Sequence, residues 1–370
     1  MTTATADPTS PSGIPRPDLL DQPPLSPAEL RRLEQLGREV LGTENDVIAL
    51  QAEAILALEA VARSVAAPGR RAINVVTGPY GAIFGGWMRE MGAEVVDVTS
   101  PFDSIATVDA VAAAIADHRP DVVALVQAEA ATGGTNPAAE IIRVARDAGA
   151  LTVLDAVAAI GAEPVPVDDW GVDIVVIGGQ KSLAGPAGVS LVALSDDAWT
   201  LIENTPSAPR GSSLSLLDWR HDWVLTDRTL IPGLPSWLES RALIQAIERI
   251  LAEGLDAVNL RHRRAAAATL AGANALDIQA WQSDAPHGAA PVVTALRVPE
   301  GCDVLIEREL GGILSPGNGA LRESLIRVNH VGQAASLDAV SDALERLAVA
   351  LDADPAPAHD AAARAWNATT

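Results

Sequence analysis

The chain has 370 residues, 48% of them hydrophobic and 20% charged, the balance of a folded globular protein rather than a disordered one. Its 48 acidic residues outnumber 26 basic ones for a formal net charge of −22, which argues against nucleic acid or an anionic membrane as the main partner. The single cysteine, Cys302, excludes an intramolecular disulfide and fits a reducing, cytoplasmic compartment. No apolar run reaches the roughly 18 residues that span a bilayer, and no charged-then-apolar leader pattern opens the chain.

Residues 1–25 are rich in Thr, Pro, Ser and Asp without apolar periodicity and are expected to form a disordered tail. Ser26-Pro27-Ala28-Glu29 supplies an N-cap, a first-turn proline and a carboxylate, so a helix starts there and stops at Gly42. A short apolar run at 47–50 leads through Gln51-Ala52-Glu53-Ala54 into a helix over 55–66, closed by Pro68-Gly69. From there strands and helices alternate. The strands are 73–77, 94–98, 122–126, 151–154, 174–177 and 189–194. The helices are 84–91, 108–118 and 138–148, with a tight turn at Gly78-Pro79-Tyr80-Gly81 and a polar turn at 129–137. Continuous Val/Ile/Leu runs separated by helices predict an α/β fold with a mostly parallel sheet covered on both faces.

Residues 205–235 read as irregular. Trp219, Trp223 and Trp237 lie in or beside them, and packing or a subunit contact is favoured over cofactor contact. A long amphipathic helix over 237–252 leads to a smaller α+β unit: helix 258–270, strand 292–298, helix 302–310, strand 324–328, helix 337–351. The expected division is a tail (1–25), a large cofactor-binding domain (26–253), a small C-terminal domain (254–352) and a frayed Ala/Pro-rich tail (353–370).

In such a sheet, ligands sit at the carboxyl ends of the strands. Tyr80, the stretch from Glu129 to Thr132, Asp155 and Lys181 all fall there. Lys181 is the only lysine in the chain. Lysine forms an imine with an aldehyde; arginine stays protonated and does not. A lone lysine after one strand and an aspartate ending the strand before it suggest a pyridoxal-type Schiff base, with Asp155 on the ring nitrogen. Burial would then lower the Lys181 pKa enough for it to shuttle a proton. Tyr80, the only tyrosine, either stacks on the ring or packs as a core aromatic. Gln180 falls where it can meet the cofactor's 5′ arm. Arg327, near the end of a strand, either holds a substrate carboxylate or forms a surface ion pair. His330 and Arg322 are weaker candidates, and the histidines lack metal-ligand spacing, so no metal is expected.

With these motifs in hand, the chain resembles the class V aminotransferases of fold type I. The matching pieces are Gly78-Pro79-Tyr80-Gly81, Thr132-Gly133 with Asn136-Pro137, Asp155-Ala156-Val157, Gly179-Gln180-Lys181-Ser182-Leu183 with Gly185-Pro186-Ala187-Gly188, and Arg327 in RVNHVG. That resemblance implies a fold-type-I large domain with a smaller C-terminal domain and a homodimer with sites at its interface. It also implies small amino and keto acids as substrates. Lys181 would be the catalytic residue, Tyr80, Thr132, Asp155, Val157 and Gln180 would hold the cofactor, and Arg327 would take the substrate carboxylate.

One departure sharpens the reading. Where most of the family has small hydroxyl residues that bind phosphate, this chain has Ala52-Glu53-Ala54-Ile55. A glutamate there repels phosphate. LQAEAILALEA is similar to the branch of the family that transaminates unphosphorylated pyridoxamine. The expected cofactor is therefore the free pyridoxal/pyridoxamine ring, bound as an aldimine at Lys181, with Glu53 beside its 5′-hydroxymethyl. Asn318 stands where that branch is expected to carry a second arginine. Pyridoxal 5′-phosphate with an alanine–glyoxylate-like activity is the alternative, and a catalytically silent ligand-binding homologue is the remote one.

Overall fold

The computed structural model describes residues 23–233, 235–285, 287–299 and 311–370. Helix α1 (Pro27–Leu41) starts with the expected capping box, in which Ser26 and Glu29 satisfy each other's backbone N–H, and ends at Gly42 with φ 57°. Strand β1 (Asp46–Leu50) and helix α2 (Ala54–Val65) follow. Next come β2 (Arg71–Val76), α3 (Pro79–Glu90), β3 (Glu94–Thr99), α4 (Val108–His118) and β4 (Val122–Val126). A two-residue hairpin, β5 (Ala128–Glu129) with β6 (Gly134–Thr135), leads to α5 (Ala138–Asp147) and β7 (Leu151–Asp155). The rest of this unit is α6 (Val167–Trp170), β8 (Ile174–Gly178), β9 (Ser190–Leu194), α7 (Asp196–Glu203) and α8 (Leu216–Trp219).

Seven strands form one sheet in the order β1-β9-β8-β7-β4-β2-β3. The pairs β8–β7, β7–β4, β4–β2 and β2–β3 are parallel; β9 alone runs antiparallel to both its neighbours. Every residue of β4, β7 and β8 is buried, as strands covered on both faces require. This is the α/β architecture expected from the alternation of apolar runs. The tight turn expected at residues 78–81 is instead the first turn of α3. Pro79 occupies the first helical position, where its missing N–H costs nothing.

The tryptophan-bearing segment folds back on the sheet's far edge. Trp223 Nε1 donates to Glu34 at 2.5 Å, and Arg228 bridges Glu34 at 2.9 Å and Asp46 at 2.6 Å. Trp219 and Trp223 are buried, so these two rings pack within their own chain; Trp237 is partly buried against the core.

Helices α9 (Trp237–Glu253) and α10 (Leu255–Ala275) lead to an antiparallel sheet of β10 (Val293–Arg297), β12 (Leu325–Asn329) and β11 (Leu314–Pro316), with β12 central. Helix α11 (Leu337–Ala350) covers it. The stretch expected to fray is instead a helix, α12 (Ala356–Ala368), docked on α10 and α11. Ala358 and Ala362, one turn apart, are fully buried, and Trp366 packs beside them. Alanine is the best helix former, and its small side chain permits close helix approach, so a composition read as fraying suits a packed helix. The helix expected at 302–310 lies outside the described residues, as does the N-terminal tail up to residue 22; Leu25 is already buried. Among the described residues no helix is long and apolar enough to cross a membrane.

One contact between the two units is the loop carrying Gly332 against the loop carrying Ala184. Both residues are left-handed, at φ 56° and 52°. Arg261 Nη1 donates to the Gly332 carbonyl at 2.6 Å, and Arg249 Nη2 to the Ala184 carbonyl at 3.1 Å. A Cβ added at Gly332 would lie 2.4 Å from Ala184 Cβ. Gly332→Ala should therefore cost about 3 kcal/mol from overpacking and left-handed strain combined. The thermal midpoint should drop by several degrees, and adding Ala184→Gly should restore part of it. A wild-type midpoint for the single variant would show that the junction tolerates a methyl group.

Candidate active site

At the carboxyl edge of the large sheet lies a cavity of about 320 Å³, the lower end of the size range of ligand pockets. Its wall includes Glu53, Tyr80, Ala130, Asp155, Val157, Gln180 and Lys181. Each comes from the segment following a different strand end or from its neighbour: Glu53 after β1, Tyr80 after β2, Ala130 after β4, Asp155 and Val157 from β7, Gln180 and Lys181 after β8.

Asp155 is 8% exposed, and among the described residues its one side-chain hydrogen bond comes from the Val157 N–H, at 3.0 Å to Oδ1. No cation pairs with it among the described residues. Burial pushes its pKa up to about 6, against the Val157 N–H and the Lys181 charge, which hold it down. A protonated ring nitrogen is the kind of partner such a carboxylate lacks, so the residues present fit a pyridoxal-type group. Lys181 Nζ makes no hydrogen bond or ion pair among the described residues. Burial lowers its pKa, and Arg327 lowers it further, while Glu53, Asp155 and Glu129 oppose.

Glu53 is the N-cap of α2. Its Oε2 accepts from the Ile55 N–H at 2.9 Å, and its Oε1 accepts a short hydrogen bond from Gln180 Nε2. The helix cap and the cavity wall are thus the same carboxylate. A negative charge at a helix N-terminus is stabilised by the helix dipole. Tyr80 is half-buried in the wall, and burial raises its phenol pKa, followed by the Glu129 and Glu53 charges.

Not every expected contact is at the wall. Thr132 is fully buried; its hydroxyl donates to the Thr77 carbonyl at 3.4 Å and does not line the cavity. Arg327 stands outside the lining on β12. It donates to the carbonyls of Ala130 at 3.5 Å and Pro316 at 3.0 Å and to Asn318 Oδ1 at 3.2 Å. Its Nε is buried with no partner, and among the described residues it pairs with no carboxylate. His330 is fully buried against Thr294 at 3.0 Å, in the core and away from the cavity wall. Arg322 does not line the cavity either. No group of three or more His, Cys, Asp or Glu among the described residues is placed to hold a metal ion.

Sequence reasoning gave Glu129 no role. It is fully buried beneath the cavity, with Oε2 accepting from the Tyr80 N–H at 3.3 Å and Oε1 from the Ala131 N–H at 3.4 Å. The signal available was a glutamate inside the small apolar run Val126-Gln127-Ala128-Glu129-Ala130-Ala131, where charge is costly unless paired.

Comparison with known proteins adds the family. Residues 29–299 match the model described as aminotransferase class-V. A pyridoxamine–pyruvate transaminase of Mesorhizobium japonicum is 30% identical over 348 residues, covering 92% of this chain and 88% of the relative. The crystal structure of pyridoxamine-pyruvate aminotransferase from Mesorhizobium loti superposes with a TM-score of 0.87 at 27% identity, covering 93% of this chain and 90% of that one. An alanine–glyoxylate aminotransferase of Drosophila melanogaster is 28% identical over 280 residues, covering 74% of this chain and 71% of the relative.

The buried acids set a pH dependence for the ligand-free protein. Burial is the main cause in each case: it holds Asp155 at about 6, Glu34 and Glu163 at about 7 and Glu129 at about 8, all above their ordinary values of 3.8 or 4.5. Raised carboxyls contribute stability fully below the unfolded pKa and lose it as pH rises through the folded value. His262 and His330, lowered by burial from 6.5 to about 4 and about 3, act oppositely, but only below 6.5. Between pH 6.5 and 8 the raised carboxyls are opposed, among the described residues, only by Lys181, a single group whose lowered pKa adds stability as pH rises toward 10.5. Three carboxyls at about 7 to 8 outweigh it, so the thermal midpoint should fall as pH rises. Glu163→Gln should flatten that slope in scanning calorimetry; a midpoint that climbs across this window would contradict the assignment.

Proposed function

The chain belongs to the class V aminotransferase family, and from that premise we propose that it transaminates unphosphorylated pyridoxamine or pyridoxal with a small keto or amino acid such as pyruvate or alanine. The observation that carries this is Glu53, held by the Ile55 N–H and the Gln180 amide inside the cavity wall. A helix N-terminus is a ready anion site, and here a carboxylate of the chain itself fills it. A phosphate charge about 4 Å from Glu53 would cost about 4 kcal/mol at an effective dielectric near 20, roughly a 10³-fold loss of affinity. A free hydroxymethyl group carries no such charge and can donate a hydrogen bond to the carboxylate. The Mesorhizobium relative, named for pyridoxamine and pyruvate, supports the same reading.

A pyridoxal-type ring, when bound, supplies an electron sink for charge left at the substrate's α-carbon. Lys181 is the residue that joins it and then moves the proton at that carbon, since burial and Arg327 lower its pKa toward the working range. Asp155, itself held by the Val157 N–H, keeps the proton on the ring nitrogen. Tyr80 covers one ring face. Thr132, its hydroxyl turned to Thr77, supports the cofactor loop from behind. Arg327, with Nε unpartnered and no carboxylate of its own among the described residues, orients the substrate carboxylate. The working unit is a homodimer with sites at the interface; exposed Leu56 on α2 and Ile83 on α3, helices whose first turns reach the cavity, support this. Residues 26–253 form the cofactor-binding unit, and 254–352 the smaller unit that brings Arg327. A pyridoxal 5′-phosphate-dependent, alanine–glyoxylate-like activity is the second reading, favoured by the Drosophila relative.

Titrating pyridoxal and pyridoxal 5′-phosphate separately into dialysed protein, read by absorbance between about 300 and 500 nm, separates the two. The free aldehyde should saturate at the lower concentration, and Glu53→Ser should shift the preference toward the phosphate by roughly 10²-fold or more. Tighter binding of the phosphate by the wild type would overturn the reading. Borohydride reduction with pyridoxal should add one mass increment on the peptide carrying Lys181 and none there in Lys181→Arg. Arg327→Ala should raise KM for the keto acid by roughly 10²-fold, the scale of a lost charge-assisted pair.

A further inference from the structure

Helix α3 begins without a cap of its own. Its N-cap is Gly78, which has no side chain to accept a hydrogen bond, and the first-turn N–H groups of a helix need acceptors. Glu129, 51 residues after Gly78, supplies one: its Oε2 accepts the Tyr80 N–H at 3.3 Å. The other oxygen accepts the Ala131 N–H at 3.4 Å, and the Glu129 backbone carbonyl takes the Gly133 N–H at 2.8 Å. One carboxyl therefore clamps the segments that follow β2 and β4.

The fit leaves no slack. A Cβ added at Gly78 would lie 2.2 Å from Glu129 Cγ and 2.5 Å from its Oε2, so only glycine admits the carboxyl at this distance. Gly78 has φ −176°, an extended conformation open to any residue, so glycine is needed there for space. Both clamped segments carry cavity groups: Tyr80 on one side, and Ala130 on the other, whose carbonyl faces Arg327 Nη1 at 3.5 Å. A fully buried carboxyl is costly, and an apolar side chain at 129 would fill the volume but leave two N–H groups without an acceptor.

We propose that Glu129 is the positioning residue of the site: by capping α3 from the neighbouring loop it sets where the Tyr80 ring stands over the cavity and where the Ala130 carbonyl meets Arg327. The proposal rests on a pyridoxal-type ring entering this cavity and is indifferent to whether that ring carries a phosphate. Burial first, then the Asp155 charge, push the Glu129 pKa up to about 8 against these backbone N–H groups. That competition is expected where a cap is enclosed close to another acid.

Tyr80 is the only tyrosine, so biosynthetic fluorotyrosine gives a ¹⁹F resonance that reports this residue alone. In the full-length protein, Glu129→Ala should displace that resonance and shrink the further shift induced by pyridoxal or pyridoxal 5′-phosphate. Affinity for whichever ring the wild type binds should fall roughly tenfold, the scale of one lost stacking contact. Glu129→Gln keeps the volume and one acceptor, so it should fall between wild type and Glu129→Ala in all three readouts. If Glu129→Ala does not fold, Glu129→Gln alone still has to move the resonance. Variants with the wild-type resonance and the wild-type ring-induced shift would overturn the proposal. A wild type whose resonance responds to neither ring would sink the cofactor reading instead, and the ligand-free displacement would still decide the role of Glu129.

Discussion

Parallel pairing is the constraint on which the site depends. Parallel strands cannot be joined by tight turns, so each must be followed by a crossover, and all their carboxyl ends gather at one edge. Here β8, β7, β4, β2 and β3 obey that rule, and the single reversed strand β9 lets β1 run in the same direction as β8. The ends of five strands thus bring Glu53, Tyr80, Glu129, Asp155 and Lys181 together, although 128 residues separate the first from the last. Hairpin connections would have sent alternate members of this set to the opposite edge.

Once gathered, the charges act on one another because water is largely excluded. Burial raises Asp155 and Glu129 and lowers Lys181, while the charges of Glu53, Asp155 and Glu129 hold the lysine up and Arg327 holds it down. A lysine exposed on a strand end would stay protonated and idle. Here burial lowers the Lys181 pKa, Arg327 lowers it further, and the acids oppose. Arg327 itself reaches this field from the second sheet, across the junction where Gly332 meets Ala184, three residues after Lys181.

How much of this was legible in the sequence depended on whether a residue's signal was local. The parallel sheet showed in uninterrupted apolar runs; Asp155 showed because it directly follows one, and Lys181 because it is the only lysine in the chain, four residues beyond another. The C-terminal helix was misread because alanine-rich composition cannot distinguish a fraying tail from a helix that packs closely; the i, i+4 pair Ala358 and Ala362 was the overlooked pattern. Thr132 belonged to a matching motif, but its hydroxyl direction is fixed by Thr77, from a segment 55 residues earlier. Glu129 was placed at a strand end but given no role, for a related reason. Its partners, Gly78 and Tyr80, lie on another strand end, and no periodicity connects a glycine's missing side chain to a distant carboxyl.

Glu53 and Glu129 are two uses of one device. Helices α2 and α3 both start at the cavity, and the N-terminus of each would attract an anion. Glu53 fills the first from its own N-cap, and Glu129 fills the second from a neighbouring loop. An incoming anionic group then finds neither helix end free. Of the cations whose charges converge here, Lys181 is committed to chemistry on the proposed reading, which leaves Arg327 to receive a negative group. On that reading, a ligand pair suited to this arrangement places its single carboxylate at Arg327 and nothing charged at the 5′ position of the ring. Specificity for an unphosphorylated ring and for a monocarboxylate substrate would then follow from the same distribution of charge.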